Sequence, residues 1–508
     1  MYLTPTTLYN YLACPHRPWR DLFGPQDEKI KETNPFVELL WEKGLLHETE
    51  VIKEFKEKAV AFEDMDKYPY RERSTRTMEA MQKGIDLIYH GVISHGNLKG
   101  IPDLLRKTEG DKYIPIDIKS GRGFQGIDDS SAGSEQRDEG DEGKPKRHYA
   151  VQLALYAEVL EHLGFSAGRQ GFILDIDNKE VLYDLLLPMG KRIKQTYWDF
   201  YCKLKDEVQP LLQNKVRNEP ALKGLCKLCP WYNSCKRWAK KQDDPSLIYY
   251  LSRSARDTLK QDLHISSIKG LLNLDINEAL KLKSQDKSIL KGLGEKSLIR
   301  IKQRASILKV EKKPVIYKEF EFPKVNVELF FDIEADPTQD FVYLHGLYAR
   351  KGIKEEFKYF LADKVDEKGE KLAWQKFWEF INSIKSSYAV YYYASYEKTT
   401  YKLLQKKYPD VISKEEVEKF FDNENVIDLY TSVINKYTDW PLSSYSIKDI
   451  ASYLGFKWRD KTPSGALSIK WFNDYVKTGD KRIMKRIVKY NEDDCRATMV
   501  VKDKLEKM

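Results

Sequence analysis

Residues 100–121, GIPDLLRKTEGDKYIPIDIKSG, constrain the fold of this chain more than any other stretch. The run YIPIDIK alternates, so Ile114, Ile116 and Ile118 leave one side of a strand while Asp117 and Lys119 leave the other together. Asp103 precedes the turn signal Glu109-Gly110-Asp111, which would return the chain antiparallel and set Asp103 beside Asp117. Two adjacent carboxylates can hold Mg²⁺ or Mn²⁺, and a neighbouring lysine can orient or activate a water.

Two helical patterns flank this strand pair. In YAVQLALYAEVL, Gln152 and Tyr156 are four residues apart on one face. Upstream, WEKGLLHETEVI places His47 on a helix. The order His47, Asp103, Asp117-Ile118-Lys119, Gln152-x-x-x-Tyr156 resembles the PD-(D/E)XK nucleases, specifically the RecB/AddB-type domains and the CRISPR-associated iron–sulfur exonucleases. The likeness covers about residues 1–240. It implies that His47, Asp103 and Asp117 are metal ligands and Lys119 the catalytic lysine. Gln152 and Tyr156 would border the site and position substrate.

Cysteines add an independent pattern. Cys226-x-x-Cys229-x5-Cys235 offers three thiolates, and Cys14 stands in a Cys-Pro near the start. Six cysteines in 508 residues are too few for a disulfide scaffold. Four thiolates suit Zn²⁺ or a [4Fe–4S] cluster, and composition leaves that choice open. The one-plus-three arrangement resembles the iron–sulfur staple of the same nucleases, which implies [4Fe–4S] in a structural role. Cys202 and Cys495 read as ordinary core residues. Residues 121–148 are Gly-, Ser- and acid-rich and read as a mobile loop.

Charge is concentrated in the middle of the chain. Residues 223–313 hold 21 Lys/Arg against 9 Asp/Glu, a balance of +12 in a chain whose net is +8. Such a segment suits a polyanion, although a solvated lysine-rich surface has the same composition. Within it, SILKGLGEKSLIRIKQRA sets Gly292 and Gly294 ahead of a helix carrying Lys296. Glycines let backbone N–H groups approach a phosphate at a helix N-terminus. The motif resembles one helix-hairpin-helix, which grips a nucleic-acid backbone without reading its sequence.

The last third mixes strands and helices. ELFFDIEAD directs Asp332 and Glu334 to one face of a strand, opposite Phe331 and Ile333. KRIVKYNEDDCRATMVVKDKL is helical, with Tyr490 and Asp494 four apart. Between them, ASYEKTT and ENVIDLY deliver Glu397 and Asp428. Residues 325–506 resemble ribonuclease-H-like 3′–5′ exonucleases of the DEDD class, in particular the YprB-type branch. That likeness implies that Asp332, Glu334, Glu397 and Asp494 hold two metals and that Tyr490 positions the attacking water. Glu397 stands where the family usually has Asp, and Asp428 lies near the site without being required as a ligand.

The expected architecture is therefore α/β in three parts. Residues 1–245 form a PD-(D/E)XK core, 246–315 a small all-α helix-hairpin-helix linker, and 320–508 a ribonuclease-H-like domain. This order resembles a RecB-like nuclease family. No apolar run approaches a membrane span and no secretory signal is evident, so a cytoplasmic protein is expected. The function expected is a metal-dependent nuclease acting on DNA single strands or ends, in repair, recombination or defence. Two rivals are a non-catalytic nucleic-acid-binding adaptor that recruits a helicase, and an RNA-processing exonuclease.

Overall fold

The computed structural model describes residues 1–31, 34–125, 143–337 and 339–508. Residues 126–142, most of the stretch read above as a mobile loop, lie outside the described residues. The chain divides into two compact units, one mainly residues 1–220 with 227–234, the other mainly 235–508. None of the helices described is long and apolar enough to cross a membrane.

The first unit is built on six strands in sequential order: β1 (Phe62–Asp64), β2 (Leu87–Tyr89), β3 (Leu104–Lys107), β4 (Tyr113–Ile118), β5 (Gln170–Leu174) and β6 (Glu180–Asp184). The pairs β1–β2 and β4–β5 are parallel and the others antiparallel. Helix α1 (Pro35–Lys58) covers one face through Val51, which clusters with Leu87, Leu104, Ile116, Ile118 and Leu174. Helix α2 (Arg147–Leu163) covers the other, where Val151 and Leu155 meet Ile88, Leu105 and Ile173. β4 is consequently buried at all six positions, as a central strand between two helical layers must be. A hairpin of β7 (Pro188–Gly190) and β8 (Ile193–Thr196) then leads into α3 (Tyr197–Leu212), whose start is a capping box made by Thr196 and Asp199.

The second unit begins with four short helices, α4 (Arg253–Leu263), α5 (Ile268–Leu272), α6 (Ile276–Gln285) and α7 (Glu295–Ser306), around a core that includes Leu259, Leu271, Leu290 and Leu298. A five-stranded sheet follows. Its strands are β9 (Val327–Asp336), β10 (Phe341–Lys351), β11 (Lys354–Leu361), β12 (Tyr388–Tyr392) and β13 (Val426–Asp428), in the order β11-β10-β9-β12-β13. The first three are antiparallel, and β12 and β13 join parallel to β9. On one face, α8 (Glu367–Ser383) and α9 (Tyr396–Lys407) pack Trp374, Phe377 and Tyr401 against Phe331 and Val390. On the other lie α10 (Ile447–Tyr453) and α12 (Lys481–Leu505), separated in the chain by α11 (Gly465–Thr478).

Within this unit the four-helix segment is fastened to the sheet domain. Arg304 on α7 donates to Asp439 at 2.7 Å, and Asp439 is fully buried. Arg304 also donates to the carbonyl of Tyr249, whose ring stacks on Tyr445 with centroids 3.7 Å apart.

Candidate nuclease sites

Turn geometry assembles the first site. The register pairs Leu104 with Ile116, which puts Asp103 opposite Asp117, as the alternation in sequence requires. The backbone ties them: Ile118 N–H donates to Asp103 Oδ2 at 2.7 Å, and Asp103 N–H lies 3.4 Å from Asp117 Oδ1. Lys119 Nζ stands 3.0 Å from Asp117 Oδ2. Burial, and then the charge of Asp117, pushes the Asp103 carboxyl up to about 7. Burial works against the Lys119 charge, but Asp117 and Asp103 outweigh it and hold the ammonium above the ordinary lysine value. Two adjacent carboxylates, Asp117 fully buried and Asp103 partly so, fit a divalent cation.

Tyr156 occupies a defined place here. Its ring is buried and its hydroxyl donates to the carbonyl of Ile101 at 3.1 Å while accepting from Gln152 Nε2 at 3.1 Å. A Cβ at Gly100 would come within 2.5 Å of that ring, so glycine permits the contact. The pair therefore pins the backbone that carries Asp103.

His47 meets the backbone at β5's far end. Its Nε2 is 3.2 Å from the carbonyl oxygen of Asp175, the residue after β5. Glu48 and His90 also approach Asp103, with donor atoms within 4.8 Å of one another and of Asp103. His90 Nε2 is 2.9 Å from Glu48 and its Nδ1 is 2.7 Å from Asp66. Although burial opposes its charge, Glu48 and Asp66 raise the His90 imidazole to about 9.

In the second unit, donor oxygens of Asp332, Glu334 and Asp494 lie within 4.8 Å of one another. Asn491 Nδ2 donates to Asp332 at 2.6 Å, and Trp458 Nε1 donates to Asp494 at 2.6 Å. Glu397 is 3% exposed, and its Oε2 is buried with no hydrogen-bond partner among the described residues. Burial first, then Asp494, raises Glu334 to about 8. The same two causes, joined by Glu334 and Glu397, hold Asp332 well above its ordinary value. Glu397 is likewise raised by burial, then by Asp428 and Asp494. Four crowded carboxyl groups, one with an orphaned oxygen, are a donor set for Mg²⁺ or Mn²⁺. The Tyr490 hydroxyl accepts from Lys448 Nζ at 2.5 Å.

Asp428 accepts from the N–H groups of Ala394 and Thr431, both at 2.9 Å. Ala394 has φ of +76°, an unfavourable conformation for a residue with a Cβ. Asp428 thus holds a strained turn three residues before Glu397, a positioning task that uses its Oδ1.

Residues 16–236 match the family model of the PD-(D/E)XK nuclease superfamily, and residues 329–506 match that of the RNase H superfamily. The chain carries two nuclease-superfamily domains. Among curated proteins, none matches the chain.

Sequence reasoning missed several residues around both nuclease sites. In the PD-(D/E)XK domain, Glu48 follows His47 on α1, and with His90 it offers donor atoms within 4.8 Å of Asp103. In the RNase H-like domain, Asn491 and Asp494 are three apart on α12, a spacing that could have revealed Asn491. Lys448 and Trp458 come from separate segments and carry no spacing signal.

The remaining sequence-singled residues have these placements. Gly292 has φ of +76°, Gly294 is the N-cap of α7, and Lys296 is exposed on its first turn. Lys283 Nζ closes the preceding turn through the carbonyls of Leu290 and Leu293, at 3.0 and 2.6 Å. No disulfide joins the cysteines. Cys14 and Cys229 fall in the first unit, where burial holds the Cys229 thiol above its ordinary value; Cys226 and Cys235 fall in the second.

Proposed function

We propose that the chain is a metal-dependent nuclease that hydrolyses phosphodiester bonds of DNA, acting on single strands or ends. The Asp103–Asp117–Lys119 constellation carries this reading. Two adjacent carboxylates, one fully buried, and a lysine meet at one strand pair, in a domain of the PD-(D/E)XK superfamily. Asp103 and Asp117 would hold Mg²⁺ or Mn²⁺, together with Glu48 or with His47. A bound divalent ion supplies Lewis acidity and a lowered pKa for water. Lys119, fixed by Asp117, orients the attacking water. Gln152 and Tyr156 keep Asp103 in place through Ile101.

In the RNase H-like domain, Asp332, Glu334, Glu397 and Asp494 would hold the cations of a 3′–5′ exonuclease. Tyr490, fixed by Lys448, orients water there. The α4–α7 segment, through Gly292, Gly294 and Lys296, grips the backbone as a helix-hairpin-helix. Cys14, Cys226, Cys229 and Cys235 would hold a [4Fe–4S] cluster as a structural staple. A cytoplasmic role in repair, recombination or defence, with a helicase partner, is the biological setting we infer.

The test uses end-labelled single- and double-stranded DNA and RNA with Mg²⁺, Mn²⁺ or EDTA. Cleavage of DNA that EDTA abolishes is the expected result. Cleavage of RNA alone moves the assignment to RNA processing, and salt-sensitive binding without cleavage of any strand moves it to the adaptor.

A further inference from the structure

The start of α2 and the β7–β8 hairpin line a cleft of about 420 Å³ in the first unit. Its lining includes Lys144, Arg147, Lys191 and Arg192, with Pro145 and Tyr197. No carboxylate lines it among the described residues, and none of the four cations forms a salt bridge within them. Gathering four like charges is unfavourable unless an anion joins them.

Each cation is placed by a different piece of local structure. Lys144 is on a two-residue strand, which the Tyr197 hydroxyl holds by donating to the Pro145 carbonyl at 3.2 Å. Lys191 and Arg192 form the tip of the β7–β8 hairpin, and both are exposed. Arg147 is the first residue of α2. That helix has 17 residues, no side-chain hydrogen bond at its N-cap Lys146, and no acid in its first turn. A helix start normally attracts acids; here basic residues stand where an anion would complement the unsatisfied N–H groups.

The same helical turn reaches the first site. Tyr149 packs with its ring centroid 5.9 Å from Lys119 Nζ. Gln152 and Tyr156, one and two turns on, hold the Asp103 backbone. The start of α2 is thus flanked by Lys119 and by the basic cleft.

We propose that this cleft binds a phosphate of the nucleic-acid strand whose scissile phosphate lies at Asp103, Asp117 and Lys119. The assignment rests on the nuclease reading and adds to it a subsite that fixes where the strand lies. Phosphate contacts position a strand without reading its bases, so the subsite serves any sequence.

The experiment measures binding of fluorescent single-stranded oligonucleotides to the full-length protein by anisotropy, across a salt series, with EDTA to prevent cleavage. Strands carry either a 5′-phosphate or a 5′-hydroxyl. Lys191→Ala/Arg192→Ala is compared with wild type and with Lys53→Ala/Lys83→Ala, which removes two exposed charges elsewhere on the same unit. The cleft variant is expected to lose about tenfold in affinity at low salt, and its slope of log K against log salt should shrink by about 1.4, roughly 0.7 per lost contact. The control variant should stay near wild type. Equal loss on both strands places an internal phosphodiester in the cleft, and loss only on the 5′-phosphorylated strand places a terminal phosphate there. If wild type binds and the cleft variant matches it, or the control variant loses as much, the subsite is overturned while the nuclease reading stands. If wild type neither binds nor cuts any strand, the nuclease reading itself has failed.

Discussion

Lys119 illustrates how much one side chain's role depends on what restrains it. It is 21% exposed and anchored by a fully buried carboxylate, so it presents one Nζ in one place. Lys119→Ala should lower cleavage by about 10²–10⁴-fold, the range for a positioned proton-handling group, with nucleic-acid affinity nearly unchanged. Asp117→Ala should lose cleavage and metal binding together. Asp332→Ala should remove only a lesser 3′-trimming activity, because Glu397 stands in for a shorter ligand. A Lys119→Ala protein that cuts at the wild-type rate, beside a dead Asp332→Ala protein, would put the principal site in the other domain. His345 offers a residue-scale test of stability. It is fully buried, hydrogen-bonded to the Tyr401 hydroxyl at 2.8 Å, and lowered by burial to about 3. The unfolded imidazole takes a proton below about 6.5 and the folded one does not, so stability held above that pH is lost as pH falls. Between pH 7 and pH 5 this amounts to about 2 kcal/mol. Denaturant titrations should show His345→Gln with a flatter pH dependence by that amount; an unchanged dependence would clear His345 of the effect.

At the scale of elements, the fastening of α7 to the sheet domain has a measurable strength. Arg304→Ala leaves Asp439 buried with the more distant Arg300, its Nε 3.6 Å away, and the hydroxyls of Tyr317 and Tyr445 at 3.1 and 3.2 Å. The loss should be about 2 kcal/mol, within the range for a charge-assisted hydrogen bond, because Arg300 still offsets the Asp439 charge. Arg304→Met/Asp439→Leu should recover most of it, because neither charge then needs desolvating; urea midpoints decide. The start of α7 separates folding from binding. Gly294→Asp places a preferred N-cap residue where a Cβ meets nothing within 4 Å. The helix should be unharmed or slightly more stable. A carboxylate would nevertheless occupy the position proposed for phosphate, and affinity should fall about equally for all sequences. Undiminished binding would make the turn purely structural.

For the whole molecule, the cysteine pattern makes a compositional prediction. Protein isolated without oxygen should hold about four iron and about four sulfide per chain, and Cys229→Ala should lose them and destabilise the first unit. Stoichiometric zinc without iron or sulfide would replace the cluster with a zinc site. The sequence by itself determined the parts whose geometry is periodic. Asp117 and Lys119 share a strand face, Asp332 and Glu334 share another, Gln152 and Tyr156 meet on a helix, and the 109–111 turn aligns Asp103 with Asp117. The first three follow from a repeat of 2 or 3.6 residues and the last from turn chemistry at Gly110, all imposed by local sterics without reference to the rest of the chain. Tertiary structure decided whatever depends on how elements pack. It brought Glu48 and His90 to Asp103, set Lys448, Trp458 and Asn491 around the second carboxylate cluster, fastened Arg304 to Asp439, and gathered Lys144, Arg147, Lys191 and Arg192 about one cleft. Those neighbours are set by helix rotation and loop path, which are fixed only when apolar faces are buried together.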